Sequence, residues 1–207
     1  MKRKNLIILF FIALISLSST ISLSYHLVKR VYDGDTILIE TGEKVRYLGI
    51  DAPEIGGQGE KSEFMAIASR DFNFQLVGNT RVRLEFDKEK RDRYGRILAY
   101  VYLENGDMVN ALLVKRGFAR VMIKRPNIKY FSLLLNDQRE AMAKKNGIWR
   151  RDSKKLEKYY LGSSKSYRFH RPGCPFAKKI LPHNFVSFKD SREAFWEGFS
   201  PCKQCRP

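Results

Sequence analysis

Between residues 27 and 169 the chain has no histidine, and its three cysteines, Cys174, Cys202 and Cys205, lie beyond that stretch. A Ser-His-Asp triad, a histidine general base and a histidine-bound metal are thereby excluded from most of the sequence. Carboxylates must carry any acid–base or metal chemistry there. No period repeats along the 207 residues, which excludes solenoids and propellers. Acidic residues are few, 22 Asp+Glu against 39 Lys+Arg, for a net charge of +17. That balance favours a polyanionic partner, nucleic acid or anionic lipid. Hydrophobic residues, at 43%, suffice for a core and exclude a largely disordered chain. The length suits one moderate domain and a small accessory module. Residues 25–147 hold 22 basic and 17 acidic side chains, and residues 148–207 hold 14 and 5, so positive charge is densest towards the C-terminus.

Residues 1–24 begin Lys2-Arg3-Lys4, continue with the apolar run Leu6–Leu17 and end rich in serine. This is the pattern of a secretory signal, with Ser22 and Ser24 at a plausible cleavage spacing. Counted to Leu23, the run is about the minimum to span a bilayer, so an uncleaved anchor is the alternative. Export to the periplasm or the exterior is expected, with membrane association only through an uncleaved segment.

Short runs rich in β-branched residues predict strands at Leu27–Tyr32, Thr36–Glu40, Val45–Ile50, Arg81–Phe86 and Ile97–Leu103, punctuated by Asp33-Gly34, Gly42, Pro53 and Asn105-Gly106. Helices are expected over Glu60–Leu76, where Phe64, Ala68, Phe72 and Leu76 recur every four residues, and over Met108–Arg116 and Lys129–Lys145. The expected fold is mostly β with helices: an OB-type, five-stranded Greek-key barrel with packed helices, plus a small zinc-binding module. The expected division is 1–24 targeting segment, 25–149 barrel domain, 150–164 linker and 165–207 cysteine-bearing module.

Within the barrel domain, polar residues cluster where a plain barrel needs none. Asp35 follows a tight turn and Asp51 ends a strand, positions from which adjacent strands can bring two carboxylates together. Two such oxygens with a backbone carbonyl and waters suit a hard divalent cation. Glu54 is placed to hold a water as general base. Arg46 and Arg96 offer guanidinium forks to a phosphodiester. Singly, each has a plainer reading: Asp33 and Asp35 as turn residues, Arg46 as an ion-pair partner, Glu54 as an exposed loop residue.

Their order resembles the thermonuclease family, the staphylococcal nuclease-like enzymes. The resemblance is carried by Asp33-Gly34-Asp35-Thr36, Arg46 to Glu54, Asp92-Arg93-Tyr94-Gly95-Arg96-Ile97-Leu98-Ala99-Tyr100, Val109-Asn110 and Asn146-Gly147-Ile148-Trp149, in register over about 27–150. It implies calcium held by Asp35, Asp51 and the carbonyl of Ala52, with Glu54 deprotonating the attacking water. Arg46 and Arg96 would neutralise the five-coordinate phosphorus, and Tyr94 would touch a phosphate. The implied reaction is calcium-dependent cleavage of DNA and RNA at the P–O5′ bond, leaving 3′-phosphates. The chain departs from the family's type enzyme in a short, glycine-rich Ile55–Gly59 and in Val121-Met122-Ile123-Lys124-Arg125, where that enzyme carries base-stacking tyrosines.

Near the C-terminus, His170-(x3)-Cys174 and Cys202-(x2)-Cys205 form two pairs of soft ligands, as a tetrahedral structural zinc requires. A disulfide is the rival for an exported chain, although three cysteines would leave one over. Phe169 to Pro207 is similar to the zinc domain of the Ada methylphosphotriester-repair proteins, through His170-Arg171-Pro172-Gly173-Cys174-Pro175, Asn184-Phe185-Val186-Ser187-Phe188 and Gly198-Phe199-Ser200-Pro201-Cys202-Lys203-Gln204-Cys205. His170 stands where that family has its methyl-accepting cysteine. An imidazole binds zinc but is no sacrificial thiolate, so a structural or DNA-docking role is expected in place of repair. The whole chain is expected to be a monomeric exported nuclease acting on DNA and RNA. A non-catalytic nucleic-acid-binding OB module is the first alternative and a phosphotriester repair protein the second.

Overall fold

A computed structural model describes residues 24–151 and 157–207. The expected targeting segment, Ser24 excepted, lies outside the described residues, as do positions 152–156 of the expected linker. Among the described residues no helix is long and apolar enough to cross a membrane.

In chain order the first part comprises β1 (Tyr25–Val31), β2 (Thr36–Ile39), β3 (Lys44–Tyr47), β4 (Ile50–Asp51), α1 (Ala66–Val77), β5 (Arg81–Glu85), β6 (Ile97–Tyr102), α2 (Val109–Lys115), β7 (Arg120–Val121) and α3 (Phe131–Ala143). Five strands close a barrel in the order β1-β2-β3-β6-β5, antiparallel except where β3 meets β6. Every residue of β6, Ile-Leu-Ala-Tyr-Val-Tyr, is buried, as a strand packed on both faces demands. Val28, Ile37, Ile39, Val45, Val82 and Val101 fill the interior around it. The barrel expected from the sequence is present.

The expected strand Val45–Ile50 is broken. Gly49 takes φ 76°, a conformation glycine enters without cost, so β3 ends at Tyr47. Ile50 and Asp51 then pair with β7 instead, which sets Asp51 opposite Arg120.

Helix α1 also differs from expectation. It starts at Ala66, and its buried face is Ala66, Ser69, Asn73 and Val77, whereas Phe64 is exposed and Phe72 and Leu76 are half-buried. The polar residues can be buried because each has partners. Ser69 Oγ donates to the Phe118 carbonyl (2.7 Å), Asn73 Nδ2 donates to the Asp33 carbonyl (3.0 Å), and Tyr47 Oη donates to Asn73 Oδ1 (3.0 Å). The helix is thus latched to the turn that carries Asp35. Gly34 allows that approach, since a Cβ there would stand 1.9 Å from Ser69 Oγ and 2.6 Å from the Ala52 Cβ.

Asn110, fully buried in α2, accepts from Val101 N–H (2.9 Å) and donates to the Leu48 carbonyl (2.8 Å), clipping the helix onto the barrel. Gly117 and Gly147 lie back to back. A Cβ on Gly147 would meet the Gly117 carbonyl at 2.1 Å, which explains the Asn146-Gly147 pair that follows α3.

The second part contains β8 (Tyr160–Ser163), β9 (Arg168–His170), β10 (Phe185–Phe188), α4 (Ser191–Trp196) and β11 (Ser200–Pro201), with sheet order β10-β8-β9-β11. β8 falls within the span expected as linker, so the ordered module begins earlier than its cysteines suggest. Asp190 caps α4 by accepting from Glu193 N–H (2.8 Å), and Glu193 reaches back to Lys189 N–H (2.7 Å). Tyr160, Phe169, Phe188, Ala194 and Phe199 form a small, mostly aromatic core.

The module is docked on α3 and its flank. Gln138, fully buried, accepts from Val121 N–H in β7 (2.7 Å) and donates to the Phe195 carbonyl in α4 (2.5 Å). Arg192 donates to the Met142 carbonyl (2.8 Å), Arg139 donates to the Trp196 carbonyl (2.9 Å), and Trp149 meets Phe195 edge to face at 5.2 Å.

Candidate active site and metal centre

Asp35 and Asp51 converge on one guanidinium. Arg46 Nη2 lies 3.0 Å from Asp35 Oδ2 and 3.1 Å from Asp51 Oδ1, while Nη1 donates to the Tyr47 and Ile50 carbonyls at 2.8 and 2.9 Å. All three side chains are buried. The strand β3 presents Arg46 to the end of β4, and the β1–β2 turn supplies Asp35, fixed by Thr36 Oγ1 (3.0 Å) and by Ala52 N–H (2.6 Å). Burial pushes the Asp35 carboxyl up to about 7 against the opposing pull of Arg46, with Asp33 and Asp51 adding to the rise. Burial also works against the Arg46 charge, but the two carboxylates more than reverse it and hold the guanidinium above the usual arginine range. Two buried carboxylates meet at Arg46, and Arg120 approaches the other oxygen of Asp51. With the buried Ala52 alongside, the donors are all oxygen, and this set fits a hard divalent ion.

Arg46 also lines a cleft of about 490 Å³ together with Glu54, Tyr94 and Arg96. Glu54 is exposed, and its nearest cation is Lys203 of the module, 3.6 Å away. Arg96 is held by Asp92 through Nε and Nη2, both 2.8 Å from Oδ2, and Asp92 Oδ1 accepts from Tyr94 and Arg96 N–H. Burial raises the Asp92 carboxyl, and Arg96 with the two backbone N–H groups more than reverses that, so it stays ionised below the usual range. Tyr94 is exposed at the rim with the Arg93 guanidinium over its ring at 4.7 Å. The cleft thus brings together Arg46, Glu54, Tyr94 and Arg96, and Asp35 and Asp51 stand behind it, bonded to Arg46; Asp51 and Glu54 also line a neighbouring cavity of about 310 Å³.

Three further cations at this site were not found by sequence reasoning. Arg120, set opposite Asp51 by the β4–β7 pairing, has Nε 3.5 Å from Asp51 Oδ2, buried and without a hydrogen-bond partner. Arg168 and Lys203 line the same cleft as Arg46 but come from the module. Burial pulls the Arg168 guanidinium below its usual range; Asp51 opposes that, and Arg120 and Arg46 repel it. No local pattern marks these residues, because strand pairing and docking bring them here.

The second constellation is His170, Cys174, Cys202 and Cys205, whose ligand atoms all lie within 4.8 Å of one another. His170 Nδ1 is 3.4 Å from Cys174 Sγ, and Arg171 N–H points at Cys205 Sγ (3.4 Å). The three thiols are unpaired. Burial pushes the Cys205 thiol up to about 11 and depresses His170, so in the bare cluster both favour their uncharged forms. One nitrogen and three sulfurs converging in this way form a metal-binding set of the tetrahedral thiolate–imidazole kind. A disulfide would use two of the sulfurs and leave the third, with the imidazole, packed against it.

Comparison with known proteins agrees with this geometry. The family model "Staphylococcal nuclease homologue" matches residues 44–151, and "Metal binding domain of Ada" matches residues 143–207. The chain is 43% identical over 129 residues to the thermonuclease of Staphylococcus intermedius, covering 61% of this chain and 76% of that protein. It is 40% identical over 125 residues to the thermonuclease of Staphylococcus hyicus, covering 59% and 73%. It is also 42% identical over 125 residues to endonuclease YncB of Bacillus subtilis (strain 168), covering 58% and 59%.

Proposed function

The chain belongs to the staphylococcal nuclease homologues, and from that premise we propose that it is an exported, calcium-dependent nuclease that hydrolyses DNA and RNA to 3′-phosphates. The observation that carries this reading is the buried Asp35–Arg46–Asp51 cluster, whose Arg46 lines the cleft that Glu54, Tyr94 and Arg96 surround. Export rests on the basic, then apolar, pattern of residues 1–24, and the chain is proposed to act as a monomer. The His170, Cys174, Cys202 and Cys205 set is proposed to hold a structural zinc.

Asp35, Asp51 and the Ala52 carbonyl would hold the calcium, which supplies Lewis-acid polarisation of a phosphate oxygen. Glu54 accepts a proton from the attacking water as its oxygen bonds to phosphorus. Arg46 and Arg96 stabilise the extra negative charge on the five-coordinate phosphorus, and Tyr94 steadies a neighbouring phosphate. The P–O5′ bond then breaks, and the 5′-oxygen leaves with a proton from solvent. Removing one such preorganised charge-stabilising group typically costs roughly 10²–10³ in rate.

Hydrolysis of denatured DNA should require calcium, stop with a calcium chelator, and fall by roughly 10²–10⁴ in Glu54→Gln while binding is retained. Wild-type protein that folds and binds DNA but never cuts it would make the chain a binding module instead.

A further inference from the structure

The cleft described above does not end on the barrel. Arg168 and Lys203 line it, and the same two residues line a second cavity of about 620 Å³ on the face of the module. The two cavities therefore share these side chains as a common wall. The second is rimmed by four cations, Lys165, Arg168, Lys179 and Lys203, and no carboxylate is among its lining residues. Phe176 and Leu181 present exposed apolar surface inside it. Its volume is that of a pocket for a nucleotide-sized ligand.

Arg168 is the pivot. Its Nη1 donates to the Pro201 carbonyl at 3.2 Å, and it forms no ion pair among the described residues, although it is half-buried. Asp51 attracts it and Arg120 and Arg46 repel it, without a direct contact to the carboxylate. Its guanidinium is therefore free to take a phosphate. Lys203 sits between Cys202 and Cys205, so the metal-binding knuckle fixes its backbone. Its only ion pair among the described residues is the exposed contact with Glu54, an interaction of a kind worth little and easily exchanged for a phosphate.

We propose that the module extends the catalytic cleft into a second nucleic-acid subsite, in which Arg168 and Lys203 bridge backbone phosphates flanking the scissile one. Lys165 and Lys179 take the next phosphates, and Phe176 stacks on an unpaired base. The preferred ligand is a single-stranded polynucleotide, because bases already paired in a duplex cannot present a face to Phe176. This deepens the nuclease reading and rests on it. The metal-binding module thereby shapes substrate recognition and does not merely cap the fold.

The test is equilibrium binding of zinc-loaded protein to a single-stranded oligonucleotide of about 12 nucleotides, and to the matching duplex, without calcium so that nothing is cut. Phe176→Ala should weaken single-strand binding by about 5- to 150-fold, the range for loss of one base–aromatic stack. Lys179→Ala should flatten the salt dependence of log K by about 0.7 per charge removed. Arg168→Ala should do the same and also lower kcat/KM on the oligonucleotide relative to a dinucleotide. Unchanged single-strand affinity and slope in all three variants would overturn the subsite. Equal losses on duplex and single strand would overturn the strand preference. Failure of wild type to cut any substrate with calcium would instead overturn the nuclease reading, and the binding data separate that outcome from these.

Discussion

Asn73 joins stability to chemistry in one side chain, and Asn73→Ala tests both. The residue is fully buried; it accepts from Tyr47 Oη and donates to the Asp33 carbonyl. Truncation leaves two buried groups without partners, each at about 1–3 kcal/mol, so a loss of about 2–6 kcal/mol is expected. Against a typical stability of about 5–15 kcal/mol this is large but survivable. Tyr47→Phe in the wild-type background strands only Asn73 Oδ1 and should cost about 1–2 kcal/mol. In the Asn73→Ala background the same change removes an already orphaned hydroxyl and should be nearly neutral. The double-mutant cycle should therefore show a coupling of about 1–2 kcal/mol. Urea titration of the zinc-loaded chain reads this directly: at a slope of about 2 kcal/mol/M, Asn73→Ala should move the midpoint by about 1–3 M. Cleavage adds an independent readout. Only Asn73→Ala frees the turn that leads to Asp35, and misplacement of about 1 Å at such a site costs roughly 10²-fold. Tyr47→Phe should leave the rate much closer to wild type. If Tyr47→Phe costs as much in the variant as in the wild type, or if the two changes lower the rate equally, the latch does not exist.

Asp92→Asn should lower the cleavage rate by roughly tenfold or more, because Arg96 loses the carboxylate that orients it. Its pH signature is specific. The Asp92 carboxyl is depressed below 3.8 in the folded chain, so its stabilising contribution is complete above that pH and vanishes as the pH falls through the depressed value. The gap in urea midpoint between wild type and Asp92→Asn should be constant from neutrality down to 3.8 and close below it; a gap that closes near neutrality would refute the assignment. One zinc per chain should be found by metal analysis, and chelation or Cys174→Ala should unfold the module sheet, since small sites of this kind draw about 10–16 kcal/mol from their metal. A disulfide found by mass spectrometry in fully stable, metal-free protein would contradict this.

The barrel was legible in the sequence because its strands are short β-branched runs with turn residues between them, as in Thr36–Ile39 after Asp33-Gly34. Asp35 and Arg46 come together through the β2–β3 pair, whose pairing is local, whereas Asp51 is positioned by the long-range pairing of β4 with β7. The buried face of α1 was not legible. Four-residue spacing of Phe64, Ala68, Phe72 and Leu76 pointed one way, and hydrogen bonds made by Ser69 and Asn73 to distant backbone and to Tyr47 turned the helix another. The end of β3 depended on Gly49, whose left-handed backbone sends Ile50 and Asp51 to β7. Arg120, Arg168 and Lys203 could not be found from sequence, since each reaches the cleft through strand pairing or docking across long separations. Tyr160–Ser163 is a strand because β9 and β10 flank it, and its own four residues carry little β signal.

The amide of Gln138 carries an implication for the order of assembly. Its oxygen serves the barrel, and only its nitrogen serves the module. Before the module arrives, that nitrogen can bond to water, so the barrel is complete in itself. The module has no such independence: its helix α4 rests on Gln138, Met142 and Trp149, and its ligand set is not whole until Cys205 has been synthesised. Domains generally fold as units, N-terminal first. The barrel is therefore expected to form ahead of the module and to offer it a finished seat.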